Sequence, residues 1–116
     1  MVDLHTRMAF ALVLYLTALG LWGIALGFAS GPTPSFRGAL VIAEIAIVAQ
    51  GLLGVVSATA RGLPDWQHIL YGLALVVAIP LAATMARQGS PRRTALTLGL
   101  TALFAAGLAI RGIATA

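Results

Sequence analysis

Along the chain, long runs with almost no charge alternate with short polar breaks. Residues 8–30, 39–60, 67–86 and 94–110 form four apolar runs. At about 1.5 Å per residue, each can span a hydrocarbon layer roughly 30 Å thick as a helix. The breaks "SGPTPSFRG" (30–38), "ARGLPDW" (60–66) and "RQGSPRR" (87–93) carry the glycines and prolines that interrupt helices. This pattern predicts helices over about 5–30, 39–60, 66–86 and 93–114. Connections this short make consecutive helices antiparallel neighbours. The expected fold is therefore all-α, with four transmembrane helices in an up-down-up-down bundle and a single domain over 1–116.

Small and polar positions inside the runs suggest which faces meet. Gly23 is five full helical turns from His5 and shares its face, and Gly27 completes a G-x-x-x-G pair. That face of the first helix is expected to point inward. Gly51, Gly54 and Ala58 are expected to allow the same close approach in the second helix. Pro80 removes a backbone donor near the centre of the third and is expected to bend it.

Composition makes the bilayer the natural solvent. Of 116 residues, 60% are hydrophobic and 9% charged, more apolar surface than a water-soluble core of this size can hide. The first run extends 23 residues beyond Arg7, longer than a signal-peptide core, so a retained helix is expected despite the small residues of "FASGP". Without cysteine, disulfides, iron–sulfur clusters and thiolate-bound metals are excluded. The net charge of +4 comes from arginines at helix ends, with no basic stripe interleaved with aromatics, so nucleic acid is not an expected partner.

Arginine placement also gives an orientation. Arg37, Arg87, Arg92 and Arg93 fall on one side, and Arg7, Arg61 and Arg111 on the other, together with Asp3 and Asp65. Four against three places the N- and C-termini outside. The expected location is a bacterial or archaeal cytoplasmic membrane, surrounded by lipid.

The chain has two histidines, and both open helices. In an up-down bundle, helices 1 and 3 run parallel, so His5 and His68 lie at the same membrane surface. The two helices are also diagonal, about 13 Å apart if neighbouring helices stand 8–10 Å apart, which suits a planar cofactor held between two axial imidazoles. Haem iron accepts such ligands. Arg7, Arg61 and Arg111 lie on the histidine side, where haem propionates need bidentate donors. Gly72 is one turn from His68 and leaves room for a macrocycle edge, while Gly51 and Gly54 thin the neighbouring helix. The alternative is that both histidines are interfacial polar residues close to water.

Glu44 is the other candidate, about 10 Å into the bilayer from Arg37 and costly there unless it is partnered or functional. The alternative is a protonated or hydrogen-bonded packing residue, with Gln50 or Thr84 as its partner. Trp66 and Tyr71 fit an interfacial aromatic belt, and Met8 and Met85 read as core or lipid-facing filler.

The run "AQGLLGVVSATARGLPDWQHILYGLALVV" (49–77) resembles a segment of the heme A synthase family. In that family a helix with a Q-G-x-L-G core and a G-L-P turn precede a helix opening with a haem-ligand histidine. "LHTRMAFALVLYL" (4–16) is similar to the preceding histidine-bearing helix, which in that family reads His-Arg. The resemblance covers about three of the four helices. It implies that they correspond to the last three helices of one four-helix half of an eight-helix protein, with His5 and His68 on the paired haem ligands near the outer surface. The family's catalytic Glu, three residues before the first histidine, is replaced by Val2, with Asp3 one residue off. Its external cysteine pair and second half-bundle are also missing. Haem binding is therefore expected, and oxidation of the haem methyl group is not.

Together these expectations describe a small protein that binds one haem b for electron transfer. It would work as a homo-oligomer or as a subunit of a larger respiratory or photosynthetic complex. Two other classes stay open. The size, helix count and single intramembrane carboxylate resemble small multidrug-resistance transporters, with Glu44 as the proton-coupled group, although those carry the carboxylate in the first helix. Gly-rich helices also suit a non-catalytic structural subunit.

Overall fold

A computed structural model describes residues 2–115; the side chain of Val2, the position of the missing Glu, lies outside that description. The described residues form four helices: α1 (Val2–Ala29), α2 (Pro34–Arg61), α3 (Trp66–Ala86) and α4 (Pro91–Ala114). Each is long and apolar enough to cross a membrane. The molecule measures 47 × 21 × 19 Å, so its long dimension is close to that of a whole bilayer including headgroups, about 40–45 Å.

Local capping chemistry moves the starts of α2 and α4 from the expected positions. α2 begins at Pro34, not near 39, because the Thr33 hydroxyl accepts a hydrogen bond from the Phe36 N–H (3.1 Å) and Pro34 occupies the first turn. α4 begins at Pro91, not 93, in the same way: Ser90 Oγ accepts from the Arg93 N–H at 3.3 Å. In both breaks proline starts a helix, since its missing N–H would be unpaired in the first turn anyway. α1 already runs from Val2, ahead of the expected start near 5. Gly62, at φ 89°, ends α2 by donating its N–H to the Ala58 carbonyl at 2.8 Å; a side chain would be strained in that backbone conformation. α3 starts at Trp66 as expected and continues through Pro80 to Ala86.

In space, α1 packs against α2 and α4, and α3 against the same two helices, α2 only sparsely. Among the described residues α1 and α3 have no close backbone approach, nor do α2 and α4, so each of these pairs is diagonal. The core joins Leu12, Leu16 and Leu19 of α1, Phe36 and Ile47 of α2, Ile79 of α3 and an alanine-rich face of α4 around Ala102, Ala105 and Ala106. Large apolar side chains also cover the outside, among them Leu14, Phe28, Ile45 and Phe104. Such a surface would aggregate in water.

The tightest seam lies between α1 and α4. Gly20 and Gly23 meet Gly99, and Gly27 meets Leu96. A methyl carbon placed at Gly23 would stand 2.6 Å from Gly99 Cα, and one at Gly99 would stand 2.7 Å from the Ile24 nitrogen. Close backbone approach through small residues is how helices bind one another when lipid and core are equally apolar. The inward face expected for Gly23 and Gly27 is thus present, with α4 as its partner.

Candidate functional site

His5 lies in the first turn of α1 and His68 is the third residue of α3. Although their helices are diagonal, the two imidazoles meet, with ring centroids 6.2 Å apart and planes at 69°. The end of α4 fixes the His68 ring. Its Nδ1 lies 2.8 Å from the Gly112 carbonyl oxygen, with the Thr115 hydroxyl at 3.4 Å. A carbonyl can only accept, so Nδ1 carries the proton in that bond. In the neutral ring Nε2 then keeps a free lone pair.

α2 positions His5. Gln50, almost fully buried, donates from Nε2 to the His5 carbonyl at 2.7 Å. One turn further along, Gly54 lies under the His5 ring, where an added methyl carbon would stand 3.2 Å from Cε1. The Nδ1 of His5 and the Oε1 of Gln50 are buried without a hydrogen-bond partner among the described residues. An unpaired buried polar atom costs about 1–3 kcal/mol.

The other expected site residues fall into three groups. Gly54 touches His5 as described, whereas Gly51 and Gly72 face open space, with nothing within 4 Å of an added methyl carbon. Gly51 therefore does not bring α2 close to a neighbour, contrary to expectation: its face of α2 is exposed. Arg7, Arg61 and Arg111 are exposed. Arg111 lies over the Tyr71 ring, 5.7 Å from its centroid, a cation–π contact that ties α4 to α3 one turn beyond His68.

Glu44 lies apart from the histidines. Its Oε1 is buried with no hydrogen-bond partner among the described residues. Neither expected partner is engaged with it: Gln50 bonds the His5 carbonyl, and the Thr84 hydroxyl bonds the Pro80 carbonyl at 3.0 Å. Helix rotation explains the difference, because Gln50 is six residues from Glu44 and so points well away from it.

Pairing of the histidines follows from counting helices, but the groups that hold them do not. Gln50 stands in the quoted "QGLLG" run, and a lone amide within an apolar helix signals a buried contact. Gly112 and Thr115 contribute a carbonyl and a hydroxyl at a helix end and carry no such signal. Among the described residues no three His, Asp or Glu side chains gather as a metal-binding cluster, so any metal held by the histidines must bring most of its own ligands. Compared with protein-family models, curated proteins and solved structures, the chain matches none.

Proposed function

We propose that the chain is a membrane-embedded, up-down-up-down four-helix bundle that binds one b-type haem between His5 and His68 and transfers electrons. The exposed apolar surface supports membrane embedding. The antiparallel order is supported by three pairings: His5 with Gln50 and Gly54, Gly27 with Leu96, and His68 with Gly112. The arginine count sets the histidine end, with both termini, on the outer face of a cytoplasmic membrane.

One observation carries the haem reading: two imidazoles from diagonal helices stand 6.2 Å apart, centroid to centroid. An imidazole nitrogen is about 1 Å from its ring centre and binds a transition metal at about 2 Å, so two rings sharing one ion stand roughly 6 Å apart. The donor chemistry of His68 agrees: it donates its second ring nitrogen to the Gly112 carbonyl, as ligand histidines characteristically do, whereas the Nδ1 of His5 has no such acceptor among the described residues. His5 and His68 would be the axial ligands. Arg7 and Arg61 are at the same end for the propionates, and Gly54 admits the His5 ring. Bound haem supplies one-electron redox chemistry. With Val2 where heme A synthases carry Glu, electron transfer within a larger respiratory or photosynthetic assembly is the simplest role. Purified protein should show a Soret band and reduced α and β bands at one haem per chain, all lost in His68→Ala. Wild-type protein without these bands, or a variant that keeps them, would refute the proposal.

The unpartnered Glu44 carboxyl favours a second reading, proton-coupled transport. Efflux driven by a proton gradient and abolished by Glu44→Gln would support it. A full complement of haem in protein with no such efflux would exclude it.

A further inference from the structure

At the opposite end of the bundle from the histidines, the ends of α2, α3 and α4 line an open cavity of about 410 Å³. Its size lies within the range of small-ligand pockets, about 300–1,000 Å³. Arg37 and Arg87 line it, above a floor that includes Ala83 and Leu98. The only acids in the chain are Asp3, Glu44 and Asp65. Asp3 and Asp65 stand at the histidine end, and Glu44 lies ten residues into α2. No carboxylate is therefore placed at this mouth to neutralise the two guanidiniums. The adjoining helix starts are already capped by Thr33 and Ser90, which leaves recognition to the arginine side chains. Thr94, also in the wall, spends its hydroxyl on the Ala86 carbonyl at 3.0 Å. The cavity thus presents two guanidiniums and no carboxylate beside the apolar Ala83 and Leu98.

We propose that this cavity binds the phosphodiester headgroup of an anionic phospholipid, with Arg37 and Arg87 as the two phosphate-binding residues. Guanidinium forks match phosphate oxygens bidentately, and the apolar floor and the exposed apolar flank at Leu81 and Met85 accommodate the start of the acyl chains. A free phosphate has the same headgroup chemistry but gains nothing from that floor. The site is independent of haem binding at the other end.

Native mass spectrometry of the delipidated protein, titrated with phosphatidylglycerol or phosphatidylcholine of the same chains, tests the assignment. Phosphatidylglycerol should be retained preferentially. The double variant Arg37→Gln/Arg87→Gln should bind it on the order of thirtyfold more weakly, from about two surface cation–headgroup contacts. Arg92→Gln, at the same end but outside the cavity wall, should retain it. All three proteins should give the same helical circular dichroism, which separates loss of the site from loss of the fold. Equal retention of the two lipids would overturn the proposal, as would an equal loss in Arg92→Gln. Displacement of phosphatidylglycerol by millimolar inorganic phosphate would do so too, by assigning the cavity to free phosphate.

Discussion

Along the α1–α4 seam the backbones touch; at the histidine end of the same bundle α1 and α3 meet through side chains alone. The seam is made of Gly20, Gly23, Gly27 and Gly99, which carry no polar side-chain atom that would need a partner. The histidine end has two facing imidazoles, a buried Gln50 and unpaired polar atoms on His5 and Gln50. In a bilayer, apolar burial gives helices little reason to associate, so close van der Waals approach does that work. Unpaired polar atoms in the same setting cost stability unless a ligand satisfies them. On the proposed reading the two regions divide the tasks: the glycine seam holds the bundle and the histidine end is kept for binding.

The largest effect should come from the seam. Gly99→Leu forces a side chain against the α1 backbone, where even a methyl carbon would stand 2.7 Å from the Ile24 nitrogen. It should destabilise the detergent-solubilised protein by about 3 kcal/mol in denaturant unfolding. His68→Ala removes the bond to the Gly112 carbonyl and should cost the haem-free protein only about 1 kcal/mol, while abolishing haem absorbance. If Gly99→Leu left stability intact, or His68→Ala unfolded the protein, the division of tasks would fail. Thr94→Val, which deletes a buried hydroxyl bonded to the Ala86 carbonyl, should cost about 1 kcal/mol without changing haem content. Gly51→Ala should have the smallest effect, a gain of about 0.5 kcal/mol from helix propensity, because Gly51 faces open space. A loss in Gly51→Ala would mean that this face of α2 packs against another chain.

What could be read from the sequence reflects the same division. The four helices are legible because a bilayer demands about 20 apolar residues per span, and Gly23 and Gly27 because small residues four apart mark a helix contact. Their partner Gly99 is not, since a single glycine in α4 does not say which helix it meets. The starts of α2 and α4 were misplaced because Pro34 and Pro91 read as breakers when they act as initiators. Gly51 and the expected Glu44 partners were misjudged for a different reason. When lipid and core are both apolar, hydrophobicity does not distinguish the inner face of α2 from the outer, and so the rotation of that helix is undetermined. The histidine pair was legible because polar residues at matched depths on alternate helices need only a count of crossings, not a rotation.

Electron paramagnetic resonance of the oxidised protein, purified with or reconstituted with haem b, tests the central proposal most directly. Two axial imidazoles give low-spin ferric iron. The wild type should show that signal alone; His5→Ala should lose it, either to a high-spin signal or with the haem itself, and His68→Ala should lose it together with the haem. A high-spin signal in the wild type, or a low-spin signal that survives either substitution, would contradict ligation by this pair.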